Sequence, residues 1–371
     1  MGAPGGSTSQ TDNDRTNRVA VLCGIRDIRM EDREVPVPGP EEILVAVSAV
    51  GVCGSDVHYY EHGRIGSFVV EAPLILGHEA AGVVVERGEG ADRHQVGQRV
   101  AIEPGRPCGR CRVCLSGSYN LCPKMRFLAT PPVDGAFVTY LTVPQDWAFA
   151  LPDTVSDEAG ALLEPLSVGI WACQRAGIRL GSRTLITGAG AIGLCTLMAA
   201  SAGGALTTIV DPEPARRQRA SQLGAGHVFE PGDPGLADLA GDVDAFIECS
   251  GTPEALASGL RLLAPKGTAV VVGMSAEDDV SIPLSTLQQR EISVTGTFRY
   301  ANTYPLAVEL VASGRIDPIR LIDARFPLEQ VDQALGLAAK DPSVVKAMVV
   351  SQPPAVREPT SVQSRVKSRE E

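Results

Sequence analysis

The chain has 371 residues, 44% hydrophobic and 21% charged, a composition that fits a soluble globular protein too long for one ordinary core. Its formal net charge of −11 argues against nucleic acid or an anionic membrane as the main partner. No apolar run reaches the length of a membrane span.

Residues 1–17 carry no basic stretch followed by an apolar one, so they read as a disordered tail and not as a secretory signal. Residues 353–371 read the same way, and the cytoplasm is the expected compartment. From Asn17 to about Pro152 the chain runs in short strands and turns. "EILVAVSAVGV", "AAGVVVERG", "GQRVAIEP" and "GAFVTYLTVP" are β-rich runs bounded by Gly, Pro and Asp, which predicts a compact, barrel-like β domain. Between these runs, "GVCGSDVHYYEHG" carries Cys53, Ser55, Asp56, His58, Tyr59 and His62, and "LGHEAAG" carries His78 and Glu79. None of these is a motif by itself, since a lone His or Cys is more often structural.

Nine cysteines, an odd number, are spread through the chain, and under reducing conditions disulfides are not expected. Four of them fall within "CGRCRVCLSGSYNLC". Cys108, Cys111, Cys114 and Cys122 can surround one Zn²⁺ tetrahedrally and leave it no open position. An iron–sulfur cluster is the competing occupant.

The texture changes near Glu164 of "ALLEPLSVG". Strands "RTLITGAG", "LTTIVD", "VDAFIECSG" and "GTAVVVGM" alternate with helices "AIGLCTLMAASA", "PEPARRQRASQLGA" and "PEALASGLRLLA". Continuously apolar strands alternating with helices predict a doubly wound parallel sheet, covered on both faces. Gly188, Gly190, Ile192 and Gly193 belong to a G-x-G-x-x-G run that ends a strand and opens a helix. That arrangement cradles a dinucleotide pyrophosphate at the helix N-terminus. Asp211 ends the next strand, 18 positions after Gly193, where a carboxylate binds the ribose hydroxyls of NAD and repels the extra phosphate of NADP. Arg216 and Arg217 nearby keep phosphate binding open, and Arg216 can instead pack on the adenine side. After "ISVTGTF" a further helix is expected in "YPLAVELVASG". "DARFPL" and "VKAMVV" are then expected as strands returning to the first domain.

With these residues in place, the sequence resembles the zinc-containing medium-chain dehydrogenases, in their sorbitol (polyol) dehydrogenase branch. The resemblance runs from about residue 18 to residue 350. It rests on "GVCGSDVHYYEHGRIG", "LGHEAAG", "AIEPG", "ATPPVDGAF", "LEPLSVG", "GAGAIG", "FRYANTYP" and the cysteine loop. It implies a GroES-like β-barrel catalytic domain over 18–163 and 300–352, with an NAD-binding Rossmann domain over 164–299. It implies a catalytic zinc on Cys53 and His78, with Glu79 or Glu164 as the acidic ligand and Asp56 orienting His78. The metal would act as a Lewis acid on the substrate hydroxyl, with hydride passing to NAD. Protons would leave through Ser55 to His58 or water, and His62 is expected to be structural. Tyr59, Glu164, Arg299 and Tyr300 would recognise the polyol. Backbone at Val272, Gly273, Met274, Thr297 and Phe298 would border the nicotinamide.

The resemblance also implies two zinc ions per subunit, a small polyol or ketose as substrate, and a homotetramer. Two departures stand out. Animal sorbitol dehydrogenases tend to lack the four-cysteine loop, and the cofactor domain here is about one residue shorter before Asp211. The nearest alternative is a threonine or 2,3-butanediol dehydrogenase with the same metal. A zinc-free quinone reductase should lack Cys53, His78 and Glu79 together. A zinc-ribbon nucleic-acid binder would need a basic surface.

Overall fold

A computed structural model describes residues 15–351. Apart from Arg15, Thr16 and Asn17, the expected tails lie outside the described residues. Thr16 and Asn17 are not tail: the strand Thr16–Gly24 begins there. The Asn17 amide is buried, donating to the Tyr140 carbonyl and accepting from its N–H.

The first part is built on Glu42–Gly51, an Ile- and Val-rich strand buried along almost its whole length. It pairs antiparallel with Glu79–Arg87 on one side. Its other side is shared by Tyr140–Pro144 and Lys346–Val350. Arg99–Ile102, Ala148–Ala150 and Ile322–Phe326 complete a seven-stranded sheet. The two last-arriving strands thus come from the end of the chain. A three-stranded sheet of Asp27–Glu34, Thr16–Gly24 and Leu74–Ile75 shares a core with the large sheet, where Val21 and Leu22 pack among Ile43, Val45 and Phe137.

The second part is a six-stranded parallel sheet. Its order is His227–Phe229, Leu206–Val210, Arg183–Thr187, Val243–Glu248, Leu263–Val271, Ser293–Gly296. Strand order reverses beside Arg183–Thr187, the crevice where open α/β sheets bind ligands. The glycine fingerprint sits at the end of that strand. The helix expected over 253–264 stops at Leu262. Leu263 is already extended, and Ala264 precedes Pro265, whose ring disfavours a helical residue before it.

Helix Leu163–Ala176 joins the two parts. Gly169 lets it press on the helix Ala191–Ala202, since a Cβ there would lie 2.7 Å from the Cys195 carbonyl carbon. One apolar core accordingly runs from Ala49 and Ala81 through Leu163 and Leu166 to Ile186 and Val270. The two parts are therefore held together by a shared core.

Candidate active site

Helix Gly54–His62 starts immediately after Cys53. Asp56 caps it: one carboxylate oxygen accepts from the Cys53 N–H at 3.0 Å. The other accepts from the Gly77 N–H at 3.0 Å and lies 3.6 Å from His78 Nδ1. Asp56 is fully buried, and burial opposes its charge. His78 and the two N–H groups outweigh that and hold its pKa below the usual range. One carboxylate thus ties a helix start to the loop carrying His78.

Cys53 Sγ, a His78 ring nitrogen and a Glu79 carboxylate oxygen all lie within 4.8 Å of one another. A thiolate, an imidazole and a carboxylate with one position open are the donor set of a catalytic zinc, so the residues fit that metal. Glu79 packs over Gly51, where a Cβ would come within 1.9 Å of Oε2. The Lys346 ammonium, equally buried, donates to both Glu79 oxygens at 2.7 and 2.8 Å and to the Val52 carbonyl at 3.0 Å. Nothing in the reading of the sequence singles out Lys346. Its signal is the lone charge in the apolar strand "VKAMVV", since a charge inside a core strand needs a partner.

Glu164 enters the same crevice from the start of helix Leu163–Ala176. The Tyr300 hydroxyl donates to it at 2.9 Å. Burial pushes the Glu164 carboxyl up to about 7, with the proximity of His78 working against that and Glu79 adding to it. Among the described residues the tight metal-binding group contains Glu79 and not Glu164. The Arg299 guanidinium lies 4.0 Å above the Phe127 ring and 4.8 Å from that of Phe298. It faces a cavity of about 420 Å³ that Phe68, Thr130 and Val133 also line. Tyr59 is buried. Ser55 is half-buried and His58 exposed on the same helix, with the His58 ring 5.7 Å from that of His62.

The second crevice, of about 640 Å³, is lined by Gly188, Gly190, Asp211, Arg216, Ser250 and Thr252 among others. Gly188 has φ +86°, which favours glycine. A Cβ on Gly193 would meet the Gly188 carbonyl at 1.7 Å, whereas one on Gly190 would meet only Arg216 Nη1, at an ordinary contact distance of 3.8 Å. Helix Ala191–Ala202, which includes Ile192, has no side-chain cap, so its first N–H groups remain available to phosphate. Asp211 accepts from the N–H groups of Ala189 and Glu213 at 2.6 and 2.8 Å, which fixes its carboxylate at the rim. Arg217 turns back to the carbonyls of Asp211 and Pro212, leaving Arg216 on the crevice wall.

Val272 and Gly273 donate their N–H groups to the Glu248 carbonyl, and Thr297 to that of Val271. Together with the exposed Met274 and Phe298, they stand at the carboxyl ends of neighbouring strands. Glu248, unmarked in the sequence, accepts from the N–H groups of Ser250 and Gly251 and so shapes the turn beneath this crevice.

In the cysteine loop all four sulfurs lie within 4.8 Å of one another without a disulfide. Cys111 Sγ is 3.3 Å from Cys114 Sγ and 3.9 Å from Cys122 Sγ. Backbone N–H groups of Arg110 and Cys111 bring Cys108 down to about 6, while desolvation pushes Cys114 up to about 12. Four thiols this close resist joint ionisation, and a dication among them removes the conflict, so the residues fit a closed zinc site.

Residues 39–153 match the family model for the alcohol dehydrogenase GroES-like domain. Residues 191–313 match that for zinc-binding dehydrogenases. The chain is 44% identical over 328 residues to the sorbitol dehydrogenase of Bacillus subtilis, an alignment taking in 86% of this chain and 93% of that one. L-idonate 5-dehydrogenase from Escherichia coli superposes with a TM-score of 0.85 and 30% identity, covering 91% of this chain and 99% of the other. For 2R,3R-butanediol dehydrogenase from Bacillus subtilis the TM-score is 0.84 and the identity 31%, with 91% and 100% covered.

Proposed function

The chain belongs to the zinc-containing medium-chain dehydrogenases, in their sorbitol dehydrogenase branch, and from that premise we propose how its residues divide the work. The enzyme oxidises a secondary hydroxyl of a polyol such as sorbitol or xylitol to a ketose, with NAD as acceptor. The observation that carries this is the gathering of Cys53, His78 and Glu79 beside the Glu164–Tyr300 pair and Arg299.

Cys53, His78 and Glu79 or Glu164 would hold a zinc, which would supply Lewis acidity to the reacting hydroxyl, with NAD as the hydride acceptor. The chain's own groups do the rest. The Glu164 carboxylate, steadied by the Tyr300 O–H, and the Tyr300 oxygen itself offer acceptors to hydroxyls next to the reacting carbon. Arg299 offers a flat set of donors, its face anchored on Phe127. Tyr59 closes the pocket. Ser55 and His58, three positions apart on one helix face, lead a proton from the pocket to solvent. Cys108, Cys111, Cys114 and Cys122 would hold the second zinc, with no position open to substrate. Asp211 favours NAD over NADP by its charge, and Arg216 packs along the adenine side.

The test is a screen of polyols and ketoses with both cofactors. Sorbitol or xylitol oxidised with NAD is the expected result. A marked preference for threonine or 2,3-butanediol would overturn it. Asp211→Ser should raise the KM for NAD and admit NADP, and an unchanged cofactor ratio would remove Asp211 from the ribose.

A cytoplasmic homotetramer is part of the proposal. No described helix is long and apolar enough to cross a membrane. Self-association is supported by the strand Ser293–Gly296, at the edge of the parallel sheet among the described residues, in which Val294 is exposed.

A further inference from the structure

We propose that Tyr119 and Asn120, next to the last cysteine of the loop, are positioning residues for Arg299 and Tyr300. The closed metal loop then sets polyol recognition from outside the crevice. This rests on the reading that Arg299 and Tyr300 meet the polyol.

The segment 298–302 is held in an unfavourable shape. Arg299 has φ +55° and Asn302 φ +59°, left-handed values that cost energy for residues with a Cβ. Such conformations persist where the surroundings over-determine them. Here the loop supplies those surroundings. Asn120 Nδ2 donates to the Phe298 carbonyl at 2.9 Å, one residue before Arg299. The Asn302 N–H donates to the Tyr119 hydroxyl oxygen at 2.8 Å, and Asn302 Nδ2 donates to the Gly117 carbonyl at 3.0 Å. Three hydrogen bonds from one loop thus bracket Arg299, Tyr300 and Ala301.

The holders are themselves fixed. The Tyr119 hydroxyl donates to buried Glu103 at 2.7 Å, and its ring meets Trp147 edge-on at 5.2 Å. Asn120 is buried. Both lie in the single turn Tyr119–Leu121, and the Cys122 N–H closes that turn on the Tyr119 carbonyl at 3.0 Å. The sulfur cluster therefore ends where the bracket begins. On the far side of the bracket, Arg299 stacks on Phe127 and Tyr300 reaches Glu164. A shift of the segment would move both polyol contacts together.

Asn120→Ala and Tyr119→Phe test this, each measured for polyol KM, NADH affinity by fluorescence, and zinc content. The expected result is a polyol KM raised about tenfold, with NADH affinity within about twofold and both metals retained. In an Arg299→Ala background, Asn120→Ala should then add clearly less than it does alone, because one of the two contacts it positions is already gone. NADH affinity falling in step with polyol affinity would mean general loosening and would overturn the proposal. So would full additivity with Arg299→Ala. If Arg299→Ala alone leaves the polyol KM unchanged, the substrate reading falls and takes the positioning role with it. If Arg299→Ala raises KM while Asn120→Ala and Tyr119→Phe do not, only the positioning role falls.

Discussion

Glu103 shows how a single buried carboxyl shapes the pH response. Burial pushes it from the ordinary 4.5 up to about 7; the Tyr119 hydrogen bond works against the rise and Glu164 adds to it. The folded state then holds a proton that the unfolded chain releases. Stability should be highest below the unfolded value and fall as pH rises through the window from 4.5 to about 7. Glu103→Gln removes that slope and still accepts from Tyr119. It should leave stability unchanged near pH ~4 and raise it near pH ~8 by about 2–3 kcal/mol. Urea unfolding at the two pH values measures this, and equal shifts at both would refute it. Lys346 makes the opposite case. Burial disfavours its charge, yet Glu79 more than restores it. Lys346→Met leaves a buried carboxylate without its cation and should cost about 3–5 kcal/mol. Adding Glu79→Gln should recover most of that loss, and a simple sum of the two losses would count against the pairing.

At the level of elements, local signals were legible and long-range ones were not. The parallel strands could be read from continuous apolar runs, and the glycine turn from three glycines in six positions. The cysteine loop stood out because its ligands lie within fifteen residues. Cys53 and His78 come from a helix start and a separate loop, and only resemblance to a family joined them in the sequence. Lys346 reaches Glu79 across 267 positions, and Asn120 reaches Phe298 across 178, distances over which no periodicity carries information. Helix Val331–Lys340 does carry a local signal: Val331, Ala334 and Leu335 are its buried face at helical spacing.

The loop's role follows from the same contrast. Its metal would stand in for a core that a segment rich in Gly, Arg and Ser cannot form. Cys108→Ser should therefore lose one zinc per chain and lower the melting temperature. It should raise polyol KM while turnover at saturating polyol survives. Turnover abolished in a stable, assembled variant would show that the loop takes part in the chemistry.

Across the whole molecule, one core joins the barrel-like sheet to the parallel sheet, so the two crevices share a fixed support. One presents helix N-terminal N–H groups and Asp211, the other the Cys53, His78 and Glu79 group. Among the described residues the parallel sheet is closed on neither edge, and its last strand, Ser293–Gly296, has Val294 41% exposed. An edge strand left open invites pairing with another chain. A second copy turned about a two-fold axis would meet it strand to strand, antiparallel, so that each contact of one residue with another is repeated in reverse across the axis. Val294→Lys places a charge in that seam and its copy across the axis. Light scattering should then find a smaller assembly than for the unaltered protein, with NADH affinity nearly unchanged because the cofactor crevice opens elsewhere. An assembly of unaltered mass would place the contact on another face.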